Sequence, residues 1–66
     1  EALEHAQFLL EAHPESEEAW ILSMDSLLAL NRVEEALRTS ERAKKLLPNP
    51  GAPLSEAHRR TVAALH

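Results

Sequence analysis

Apolar residues return three and four positions apart in four separate blocks of this chain. In the first, Ala2, Leu3, Ala6, Leu9 and Leu10 line one face of an amphipathic helix predicted from Glu1 to Ala12. His13-Pro14 ends it, because the residue before a proline is biased away from the helical region. Ser16 is the natural N-cap of the next helix, with Glu17 and Glu18 in its first turn beside the positive end of the dipole. That second helix is predicted to run to roughly Leu30. Trp20, Ile21, Leu22, Met24, Leu27, Leu28, Ala29 and Leu30 cover most of its circumference, and only Ser23, Asp25 and Ser26 interrupt them. A helix this apolar all round is sandwiched between others.

Asn31-Arg32 makes a tight connection to a third helix, in which Val33, Ala36, Leu37, Ser40, Ala43 and Leu47 form one stripe. Glu34 and Glu35 begin it and Lys44 and Lys45 end it, both matching the macrodipole. Pro48, Pro50, Gly51 and Pro53 mark a helix-breaking linker over Pro48 to Pro53. A fourth helix follows, with Ser55 as its candidate cap, Leu54, Ala57, Thr61, Val62 and Leu65 on one face, and Arg59 and Arg60 turned outward. The fold class is all-α, with about four helices in antiparallel pairs.

Pro14 and Pro48 stand 34 residues apart, and the same offset matches Glu1 with Glu35, Ala2 with Ala36 and Leu3 with Leu37. A period near 34 residues in paired helices is the signature of a helical solenoid, whose pairs stack on neighbours to hide their second face. Trp20, Ala36, Ala43 and Pro48 have the mutual spacing of the bulky residue, two small residues and closing proline of the tetratricopeptide repeat, which this chain resembles. Ser23, Leu27 and Ser40 depart from that pattern. The resemblance implies a right-handed α-solenoid segment over residues 1–66. Glu1 to Ser16 stands for the second helix of a preceding repeat, Glu17 to Pro50 for one full repeat, and Pro53 to His66 for a following or capping helix. Both ends fall within helix-forming sequence, which predicts a fragment of a longer array.

The run Ala12-His13-Pro14, Trp20, Arg32, Glu35-Ala36-Leu37, Arg42, Gly51 and Pro53 also resembles the bacterial transcriptional activation domain, itself built of tetratricopeptide-like helices. That second resemblance implies a regulatory role beside a DNA-binding domain.

Composition narrows the function. There is no Cys, which excludes disulfides and thiolate metal sites and leaves the compartment unread. Eleven acidic against seven basic residues give a net charge of −4, so direct contact with nucleic acid is not expected. One Trp, one Phe and no Tyr leave few stacking platforms. The apolar runs are too short for membrane insertion.

The four histidines, His5, His13, His58 and His66, are scattered without metal-ligand spacing, so no metal or cofactor is expected. His58 reads as a hydrogen-bonded packing residue. Glu15, Glu17 and Glu18 have their explanation in the helix dipole, and Ser40 beside Glu41 or Ser55 near His58 has neither an orienting third group nor an oxyanion turn. The chain is therefore not expected to be an enzyme. The tetratricopeptide resemblance instead implies a scaffold that binds a protein or peptide segment in its groove. By register, that groove is lined by Glu18, Ile21, Asp25 and Leu28, then by Ser55, Arg59 and Val62. Ile21 and Asp25 stand where chaperone-clamping repeats carry Lys, Arg and Asn, which implies an amphipathic or basic helix as the occupant. The alternatives are the regulatory role just described and a purely structural or self-associating segment.

Overall fold

The computed structural model describes residues 2–65, the side chain of Ala2 excepted. It holds four helices: α1 (Ala2–Ala12), α2 (Glu17–Ala29), α3 (Val33–Leu46) and α4 (Ala52–Leu65), with no strand among the described residues. The all-α class read from periodicity is the class observed. The expected start of the first helix at Glu1 and the end of the last at His66 lie outside the described residues.

Each boundary has a local cause. α1 closes with the His13 amide on the Leu9 carbonyl at 2.8 Å, and the Ser16 amide on the His13 carbonyl at 3.0 Å turns the chain over Pro14. Ser16 then caps α2, its hydroxyl accepting from the Ala19 amide at 3.4 Å. At the other end of α2, Asn31 adopts φ 62°, the left-handed region that Asn enters more readily than other side chains. The Arg32 amide reaches back to the Leu27 carbonyl at 2.8 Å and the Asn31 amide to Leu28 at 3.0 Å, the paired bonds of a Schellman cap that let α3 begin at once.

Two expectations at α4 are corrected. The helix begins at Ala52, inside the proposed linker, because Pro53 occupies its first turn, where the missing amide hydrogen has no intrahelical role. Ser55 consequently lies within the helix and is not its cap; its amide donates to the Gly51 carbonyl at 3.3 Å. The cap comes from a distant residue. Glu17 Oε2 accepts from the Gly51 amide at 3.1 Å and from the Leu54 amide at 3.0 Å, so the first residue of α2 satisfies two orphan donors at the start of α4. Gly51 lacks the Cβ that would stand 3.2 and 3.3 Å from that carboxylate.

α2 is the central element: α1, α3 and α4 all pack on it and α4 also packs on α3, while no Cα of α1 comes within 8 Å of α3 or α4. Leu3 meets Leu27 and Ala36 in one buried cluster, while Trp20 and Met24 meet Ala43, Leu47, Leu54 and Ala57 in the other. These pairings set α1, α2 and α3 successively antiparallel and α4 parallel to α2. Ala6, Ala36, Ala43 and Ala57 are all at 0% exposure, small residues at the points of closest helix approach. Trp20 is buried with Ala43 and Ala57, and its indole N–H donates to the Pro14 carbonyl at 2.7 Å, tying the α1–α2 turn to the core.

Substituting Glu17→Ala is expected to cost about 1–3 kcal/mol in urea denaturation and Glu17→Gln less, since the amide keeps one acceptor oxygen. Gly51→Ala should destabilise the wild type but add little in the Glu17→Ala background, where the crowded carboxylate is gone; equal costs in both backgrounds would contradict the contact. Asn31→Val should cost about 1–2 kcal/mol and Asn31→Gly nothing measurable, the difference that a left-handed cap residue requires.

Candidate protein-contact surface

The stripe Glu18, Ile21, Asp25 and Leu28 follows from helical spacing along α2, and the structure shows what each does there. Glu18 is exposed near the helix start, and Ile21, Asp25 and Leu28 are half-buried. Ile21 packs against the Trp20–Met24–Leu54 cluster, and Leu28 against the Leu3–Leu27–Ala36 cluster. The two apolar members are thus anchored in the core by one side and leave the other side open.

Asp25 is the polar centre of the stripe, and its partner on α4 is Arg60. Arg60 Nη2 stands 3.4 Å from Asp25 Oδ1, with both side chains about half exposed. Arg59, the residue placed in the groove by register, is exposed and does not meet Asp25. Rotation of α4 explains this. Leu54, Ala57 and Thr61 are buried and His58 faces α3, so Arg60 falls on the flank toward α2. Ser55, Arg59 and Val62, four and three residues apart, share the other flank, with Ser55 and Arg59 exposed and Val62 half-buried. The sequence-predicted residues therefore do not form one groove: Ile21 and Asp25 lie at the α2–α4 seam, Glu18 lies on the α1 side of α2 with Leu9, His13 and Leu22, and Ser55, Arg59 and Val62 lie on the flank of α4 away from the seam.

Two polar contacts behind this surface escaped the sequence. Ser40 Oγ and His58 Nδ1 share a hydrogen bond of 2.7 Å that ties α3 to α4. Ser40 is fully buried, so the contact is a tether within the fold, in line with the packing role read for His58. The other contact is the Glu17 cap. Both join distant segments, whose relative rotation periodicity does not encode; only the offset of 34 residues between Glu17 and Gly51, the same as that between Pro14 and Pro48, carried a signal. Among the described residues no group of three or more His, Cys, Asp or Glu is placed to hold a metal ion, and no helix is long and apolar enough to cross a membrane.

Four helices packed in antiparallel succession about a buried tryptophan form an all-α unit consistent with a tetratricopeptide-like fragment. The chain belongs to the bacterial transcriptional activator domain family, which matches residues 1–65. No curated protein and no solved structure matched the chain. Of the readings drawn from the sequence, the match supports the transcriptional-regulator alternative over the general tetratricopeptide scaffold.

Because the Asp25–Arg60 pair is half exposed, Asp25→Ala and Arg60→Ala should each change stability by no more than about 1 kcal/mol. A loss well beyond that in urea denaturation would show the pair to be structural, and would remove this face as one that can be varied independently of folding.

Proposed function

We propose that this chain is the protein-contacting, regulatory module of a bacterial transcriptional regulator, in which a separate domain contacts DNA. The observation that carries the reading is the family match over residues 1–65. Charge supports it: with a net charge of −4, phosphate contact by this segment would lack the cationic surface that drives nucleic-acid binding.

The contact surface in this reading is the α2 strip, extended by the outer flank of α4. Ile21 and Leu28 supply apolar anchors, Asp25 supplies acidic selectivity at the α2–α4 seam, and Glu18 adds a carboxylate near the start of α2. A basic partner side chain takes Asp25 by displacing Arg60, an exchange that costs little because the existing pair is solvent-screened. Arg59 offers a cation on the far side of α4, beside Ser55 and Val62. The reading assigns no catalytic role, cofactor or metal to the chain.

The test is transcription by the full-length regulator carrying Asp25→Lys, alongside its binding to its DNA site. Activation is expected to fall about tenfold, equivalent to about 1.4 kcal/mol of lost partner contact, with DNA binding unchanged. Unaltered activation would remove Asp25 from the surface. A parallel fall in DNA binding would place the segment's role in DNA recognition instead.

A further inference from the structure

Charge divides this chain at one point. Residues 1–31 carry seven Asp and Glu and no Lys or Arg, whereas residues 32–66 carry all seven Lys and Arg with four Glu. The first part is therefore at −7 and the second at +3. Folding keeps the outermost acidic helix away from the basic ones, since no Cα of α1 comes within 8 Å of α3 or α4. Opposite charges held apart on one molecule attract a second copy of it.

The separation is sharpest at residues related by the 34-residue offset. Glu4, Phe8 and Glu11 stand at i, i+4 and i+7 on α1, and 34 residues later Arg38, Arg42 and Lys45 stand at the same spacing on α3. Each set forms one stripe of its helix, and all six side chains are exposed. Leu3 and Ala6 of α1 and Ala36 and Ala43 of α3 are buried toward α2, so both stripes lie on the sides turned away from it.

These charges are not used within the chain. None of the five charged residues in the two stripes has an ion-pair partner among the described residues. Glu35, the carboxylate nearest the basic stripe on its α1 side, is held by Arg32 at 3.5 Å. Glu34 and Glu41 lie on the flank of α3 nearer α4. Apolar surface accompanies both stripes. Phe8 is 67% exposed, the most of any large apolar side chain among the described residues, and Leu46 beside Lys45 is 58% exposed.

We propose that the chain forms a two-fold dimer in which the acidic stripe of α1 in each copy lies on the basic stripe of α3 in the other. α1 and α3 point the same way, because each runs antiparallel to α2. A two-fold axis parallel to them and midway between them carries α1 over the partner's α3 at an unchanged level along the helices. Glu4 then meets the partner's Arg38, Glu11 the partner's Lys45 and Phe8 the partner's Arg42, and symmetry makes each contact twice. The charges also select this pairing over its rivals. A dimer built by α1 on α1 through Phe8 sets carboxylates against carboxylates, and one built by α3 on α3 sets cations against cations. Neither stripe includes Ile21 or Asp25, so the dimer stands apart from the regulatory reading above.

The test is sedimentation equilibrium of the whole chain. In about 50 mM salt the mass is expected to rise with concentration to two copies and stop, and in about 500 mM salt the dissociation constant should be at least about tenfold higher, because exposed ion pairs are screened. Phe8→Ser should weaken the dimer at least about tenfold with helicity unchanged by circular dichroism. The double variants Glu4→Lys/Glu11→Lys and Arg38→Glu/Lys45→Glu should each stay monomeric alone, yet form a one-to-one dimer when mixed, since reversed charges are again opposite at both contacts. Asp25→Lys, away from both stripes, should dimerise like the wild type.

The proposal is overturned if the wild-type chain stays monomeric up to about 1 mM, which would leave the two stripes to other proteins. Mass that climbs past two copies overturns it as well, as does a dimer that survives high salt unweakened. So does failure of the two double variants to pair while each keeps its helicity.

Discussion

The Glu17 carboxylate is the contact on which the arrangement of this chain most depends. It stands at the start of α2 and accepts from two amides at the start of α4, so one side chain joins the starts of two parallel helices. α4 has no side-chain cap of its own: Gly51 precedes it, Pro53 occupies its first turn, and its exposed donors are left for a neighbour to satisfy. The anion also sits where the α4 dipole is positive. With that end held, Leu54 and Ala57 seat against Trp20 and Met24, His58 reaches Ser40, and Arg60 reaches Asp25. The apolar contacts supply the bulk of the attraction, and the carboxylate sets where along α2 the last helix lies.

The arrangement also explains why α2 has so little polar face. It meets α1 on one edge and α3 and α4 on others, leaving Ile21 and Asp25 half open beside α4. A solenoid exposes surfaces of this kind between helices, and side-chain chemistry decides what each surface accepts.

Much of this was legible in the residues. The four helices lie within a few positions of where periodicity puts them. Ser16 caps α2 as its identity predicts, and the alanines at 0% exposure include Ala36 and Ala43, singled out by repeat spacing. The parts that were not legible share a physical origin. Glu17 has a sufficient local explanation in its own helix dipole, which concealed its long-range role. Ser55 has the chemistry of a cap, but Pro53 fits a first turn equally well and moves the helix start upstream. Whether Arg59 or Arg60 meets Asp25 depends on the rotation of α4 about its axis, and adjacent residues differ there by about 100°. Periodicity locates a face on its own helix; it does not say which neighbouring side chain the face will meet.

The most direct measurement is amide hydrogen exchange on the wild-type chain and on Glu17→Ala, read residue by residue. If the carboxylate seats α4, its removal strips protection from the Gly51 and Leu54 amides and lowers protection across α4 as a unit, while the α1–α2–α3 core stays protected. Undiminished protection of α4 in the variant would contradict the account, and would mean that apolar contact alone sets the place of the last helix.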